Sequence, residues 1–203
     1  MNQPDVTTRH RVSLRAIPGR RQFLFAALAL VALTAQAVEL RVGNNYPLHF
    51  SDVDHHEFST ADGHVTVITV VTRQDEAKAQ TVGDRVSETI MGDPKYRLIT
   101  LVNFQRGIFT PLRGMVSAVI RHRLDDEAVE LQKEYTKKKI NRTARNDLFV
   151  VADFDGKAVS QLGIDPASSE FAVFVFSGNG RLVRRWSDVP SAEALAEAVK
   201  EAR

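Results

Sequence analysis

The chain of 203 residues contains no cysteine. Every chemistry that needs a thiolate is thereby excluded: disulfide exchange, thiol peroxidation, cysteine nucleophiles, cysteine-ligated zinc or iron–sulfur, and lipid attachment at cysteine. A phosphate-binding glycine loop, a G-x-S-x-G elbow and a Ser/His/Asp set are also lacking, as are internal repeats and low-complexity tracts. Glycine (11) and proline (7) are too sparse for a fibrous or disordered chain, and 43% apolar residues suffice for one well-buried core.

The formal charge of +2 is unevenly placed. Residues 1–37 hold Arg9, Arg11, Arg15, Arg20 and Arg21 against one acid, Asp5, leaving 22 basic and 24 acidic residues beyond them, a net of −2. A globally basic body is excluded, and no nucleic-acid partner is expected. The Arg-rich start runs into the apolar stretch Phe23–Leu33 and then Thr34-Ala35-Gln36-Ala37, a small-residue processing site. This is the layout of a cleavable signal peptide, whose apolar run falls short of the ~20 residues of a bilayer-spanning helix. Gly19-Arg20-Arg21-Gln22-Phe23-Leu24 also resembles a twin-arginine signal, so general secretion and twin-arginine export both stay open. The expected organisation is a leader over 1–37 and one domain over 38–203, periplasmic or secreted, with no transmembrane helix after processing.

Short strands are expected over 38–43 and 47–50, with turns at Asp52–His56 and at Asp62-Gly63. Val65–Val71 reads as a central strand buried on both faces. Ala79, Val82, Val86 and Ile90 form the stripe of a helix, and Tyr96–Asn103 the next strand. Thr110-Pro111 opens a long helix to about Ile140, with Gly114 its weak point. Its expected inner face is Leu112, Met115, Val116, Val119, Ile120, Leu124, Ala128, Leu131 and Tyr135. Leu148–Ala152 is a third strand, closed by Asp153-Phe154-Asp155-Gly156. Phe171–Phe176 and Arg181–Trp186 form a hairpin, and Ser191 caps a last helix, Ala192–Ala202. The order β-α-β-α-β, hairpin, helix predicts an α/β fold with a mixed sheet flanked by helices and a long helical insertion.

Three stretches together resemble the thioredoxin-like superfamily of the peroxiredoxin and periplasmic thiol-reductase type. They are Arg41-Val42-Gly43 to Gly63-His64-Val65-Thr66-Val67-Ile68, then Phe149–Lys157, then Phe174–Val183. Ser168-Ser169-Glu170 ahead of an apolar strand is closest to the YtfJ-type periplasmic branch. The resemblance implies a thioredoxin fold and places the family's redox pair at Asp75 and Lys78, neither of which forms a thiolate. It sets Phe171 near the family's cis-proline, with Pro166 several residues too early.

The expected function is therefore a non-redox, non-catalytic binding or scaffold module that needs no cofactor. Its partner, a protein or peptide, would dock on Arg73, Gln74, Asp75, Lys78, Ser169 and Glu170, at the ends of the parallel strands. The alternative is a thiol-free enzyme, metal-dependent through Asp52, Asp54, His55, His56 and Glu57, although that stretch reads more simply as a solvated turn. Asp75 reads as a helix cap or first-turn acid, and His122 and Trp186 as packing or surface residues. The basic segment Lys137–Arg145 is a possible contact for an anionic surface.

Overall fold

A computed structural model describes residues 39–104 and 110–203. The expected leader lies outside them. The described residues form one compact unit, and no helix among them is long and apolar enough to cross a membrane. The elements are β1 (His49–Ser51), β2 (Glu57–Ser59), β3 (Val65–Val71), α1 (Glu76–Ile90), β4 (Tyr96–Asn103), α2 (Arg113–Lys137), β5 (Phe149–Asp153), α3 (Lys157–Gln161), β6 (Ala172–Phe176), β7 (Leu182–Trp186) and α4 (Ala192–Glu201). Short 3₁₀ turns at Thr110–Leu112 and Ala144–Asp147 flank the α2 insertion.

The main sheet has the order β5-β4-β3-β6-β7, and β1 and β2 form a separate two-stranded ribbon. β3, β4 and β5 run parallel, whereas β6 and β7 are antiparallel to their neighbours. β3 is central because all seven of its residues are buried. Its side chains alternate between two cores, as a pleated strand requires. Ile68 and Val70 join Ile99, Leu101, Phe174 and Phe176 under the β1–β2 ribbon and α3. Val65, Val67 and Val71 join Val82, Val86, Leu195 and Val199 of α1 and α4. The Ser191 hydroxyl caps α4 by accepting from the Ala194 N–H.

Two expectations fail here. Residues 39–43 form no strand: Gly43 takes φ +94°, which breaks an extended run, and the segment bonds across to β7 through Gly43 N–H to Leu182 O. The long helix begins at Arg113 after a 3₁₀ turn holding Pro111, runs through Gly114 without a break and stops at Lys137. Of its expected inner face only Leu124 and Tyr135 are buried. The cause is placement: α2 packs beside the 144–147 turn rather than across the sheet. Tyr135 is anchored there by donating to Asp147 Oδ2 at 2.7 Å, and Arg142 pairs with the same carboxylate.

The β1–β2 ribbon is tied to the sheet by Arg97 of β4. Its guanidinium lies 5.0 Å from the Phe58 ring centroid and 5.5 Å from that of Phe149, and Nη1 donates to Asp62 Oδ2 at 2.8 Å. Partial burial raises the Asp62 carboxyl, but bonds from Arg97, His64 and the Ser59 N–H outweigh it and hold the pKa down at about 2. Because the folded value lies below the ordinary 3.8, Asp62 contributes stability that is complete above the ordinary value and lost as the pH falls towards 2. Asp62→Asn should therefore lower stability at pH 7 and flatten its decline between pH 4 and 2. Urea unfolding across that range measures both, and a variant that keeps the wild-type acid limb would contradict the assignment.

Candidate functional site

Helix α1 begins directly after the loop that leaves β3. The Asp75 carboxylate turns back across that loop and accepts from the Thr72 N–H at 2.9 Å and the Thr72 hydroxyl at 2.7 Å. Asp75 therefore staples the Thr72–Asp75 turn instead of capping the first helical N–H groups, and its own carbonyl accepts from the Ala79 N–H. One turn on, the Lys78 ammonium sits 5.1 Å from the centroid of the buried Phe171 ring and 2.8 Å from Asp188 Oδ1. The Asp188 carboxylate raises the Lys78 pKa, and the ammonium lowers that of Asp188.

The strand registers explain the meeting. β3 pairs with β6 up to Val70 opposite Ala172, so the exit of β3 and the entrance of β6 lie side by side. On the other edge of β6, Val173 stands opposite Trp186, and Asp188 follows Trp186 by two residues. The entrance is held from below by Asn103, at the end of β4, whose Nδ2 donates to Pro166 O at 3.2 Å and Ser168 O at 3.1 Å. Glu170 pairs with Arg185 Nη2 at 2.7 Å, and its N–H donates to the Ser168 hydroxyl.

Of the six expected docking residues, Arg73, Gln74, Lys78 and Ser169 are exposed, and Asp75 and Glu170 are half-buried. Sequence reasoning missed Asp188, Arg185 and Asn103. The first two escape a count outward from the Ser177–Gly180 turn, because a bulge between Val175 and Phe176 shifts the hairpin register by one residue. Asn103 is signalled only as a polar residue ending an apolar strand.

The second expected cluster divides. Asp52, Asp54 and His56 each present a ligand atom within 4.8 Å of the others; His55 and Glu57 do not join them. The stretch is not a fully solvated turn, since Asp52 and Val53 are buried. Asp52 Oδ1 accepts from the Asp54 and His56 N–H groups at 2.9 and 2.8 Å, and Oδ2 meets His56 Nδ1 at 3.0 Å. Asp54 Oδ2 takes the Arg145 guanidinium, which also holds Asp125 at 2.9 Å. A cavity of about 540 Å³ opens beside Asp54, His56, Arg145 and Phe149. With Asp52 spent on backbone N–H groups and Asp54 on a cation, the cluster acts as a staple for a turn in which His55 takes φ +66°.

A mixed five-stranded sheet, three strands parallel and two in an antiparallel hairpin, with helices on both faces, defines the thioredoxin-like fold, here in a chain without a thiol at its crevice. Solved structures agree. The fold is similar to that of a proposed electron transfer protein from Aquifex aeolicus VF5, with TM-score 0.51 at 13% identity, covering 80% of this chain and 99% of that one. It is likewise similar to a proposed thiol:disulfide interchange protein DsbE from Chlorobium tepidum, with TM-score 0.50 at 10% identity, covering 81% and 99%. At these identities the likeness is one of fold. No protein-family profile and no curated protein sequence matches the chain.

Proposed function

We propose that this chain is an exported, non-redox thioredoxin-fold module of the YtfJ-like kind that binds an extended segment of a protein partner at the crevice between the exit of β3 and the entrance of β6. The observation that carries the reading is the occupant of the crevice: Lys78, ion-paired to Asp188 and lying against Phe171, stands where the resemblance sets a redox thiol. Main-chain recognition at a strand entrance needs no sulfur, so removing the thiols removes the chemistry and leaves the docking surface. The Arg-rich, apolar leader with its small-residue processing site supports export.

The test has two arms. In insulin reduction the purified chain should equal the buffer blank, and turnover that survives repurification would overturn the non-redox reading. Photoreactive residues at 74 and 169 should trap one and the same partner in the exported compartment. Gln74→Arg with Ser169→Arg should reduce that capture by steric block. Trapping only from position 138, at the C-terminal end of α2, would contradict a crevice interface.

A further inference from the structure

Large apolar side chains exposed among the described residues gather on one element. Apart from Val42 they are Leu112, Met115, Val119 and Val129, and Met115 and Val119 are 67% and 54% exposed. Leu112, Met115 and Val119 follow at spacings of three and four, one stripe along the first turns of α2, with Val116 and Ile120 half-buried behind it. A Cβ built on Gly114 would meet nothing within 4 Å, so these turns also stand clear on that side.

Charge indicates what covers the stripe. No Asp or Glu occurs from Pro94 to Leu124, while Lys95, Arg97, Arg106, Arg113, Arg121 and Arg123 do. Beside the stripe, Arg113 has no ion-pair partner among the described residues, and Arg123 reaches Glu76 only at 3.7 Å. Acids resume at Asp125 and bound the patch to three turns. An exposed apolar row flanked by cations, with no acid on its own turns, is the composition of a helix that lies in the interface of an anionic bilayer. A second copy paired about the same row would set these arginines against each other. The basic segment Lys137–Arg145 is a poorer fit: Lys137 pairs with Glu134, Arg142 with Asp147, and Arg145 with Asp54 and Asp125.

We propose that Leu112 to Arg123, the entry and first three turns of α2, dock on an anionic phospholipid surface. Leu112, Met115 and Val119 enter the acyl boundary, and Arg113 and Arg123 meet lipid phosphates.

The absence of cysteine makes the test clean, because Val119→Cys or Lys138→Cys in the full chain carries a single environment-sensitive fluorophore. With vesicles of mixed phosphatidylglycerol and phosphatidylcholine, the probe at 119 should brighten about twofold and shift to the blue, and the probe at 138 should not. Arg113→Glu with Arg123→Glu should weaken the response about tenfold. The apolar leader can bring the chain to a vesicle, but only contact at α2 changes the probe at 119. The proposal is overturned by a silent probe at 119 when the chain sediments with vesicles, and equally by absence of any vesicle binding. A response at 138 alone, or an equal response at 119 to pure phosphatidylcholine, overturns it too. Brightening with protein concentration in the absence of vesicles would show that a second copy covers the stripe.

Discussion

Asp153→Ala should cost the domain about 3 kcal/mol, because it strips the acceptors from two buried backbone donors at ~1–3 kcal/mol each. Asp153 ends β5, is almost wholly buried, and spends one oxygen on the Gly156 N–H and the other on the Val159 N–H, each at 2.8 Å. Burial pushes its carboxyl up against the opposing pull of these two bonds. The pair bends the chain from β5 into α3 through Gly156, whose φ of +77° suits glycine. Val159, Leu162 and Ile164 then enter the core shared with Phe174 and Phe176. A urea midpoint lowered at unchanged slope would show the loss, and an unmoved midpoint would refute the staple.

The second large effect is expected at Asp52, whose replacement by alanine should destabilise by about 2–3 kcal/mol through the Asp54 and His56 N–H groups it leaves unpaired. Zinc should neither raise the wild-type melting temperature nor rescue the variant. A ligand bound only to the native state at a hundred times its dissociation constant adds about 2.7 kcal/mol, which a thermal melt detects. A zinc-dependent rise that disappears in His56→Ala would make the cluster a metal site and revive a thiol-free enzyme.

What was legible in the sequence was what burial dictates on both sides of an element. Val65–Val71 is apolar and β-branched throughout and is the central strand; Val82, Val86 and Ile90 recur at helical spacing and are buried in α1. Periodicity failed at α2 because a stripe shows which face is apolar, not whether anything lies against it; Met115 and Val119 belong to the stripe and face water. The anchors of the insertion were out of reach, since Arg145 finds Asp54 across 91 positions of sequence. In the crevice, the resemblance reaches positions 75 and 78 from the sequence, because β3 and the start of α1 fix their distance from the strand. Asp188 arrives from the far strand of the hairpin, and only a known register brings it to Lys78.

The proposed crevice between the exit of β3 and the entrance of β6 can be tested by supplying the sulfur it lacks. Asp75→Cys with Lys78→Cys places a thiol before the first residue of α1 and another one turn on, where helix N–H groups stabilise thiolate. The expected result is an intramolecular disulfide and insulin reduction above the wild-type blank, abolished again by Gln74→Arg with Ser169→Arg. A folded double-cysteine chain that forms its disulfide and still leaves insulin untouched would show that this surface does not admit an extended polypeptide.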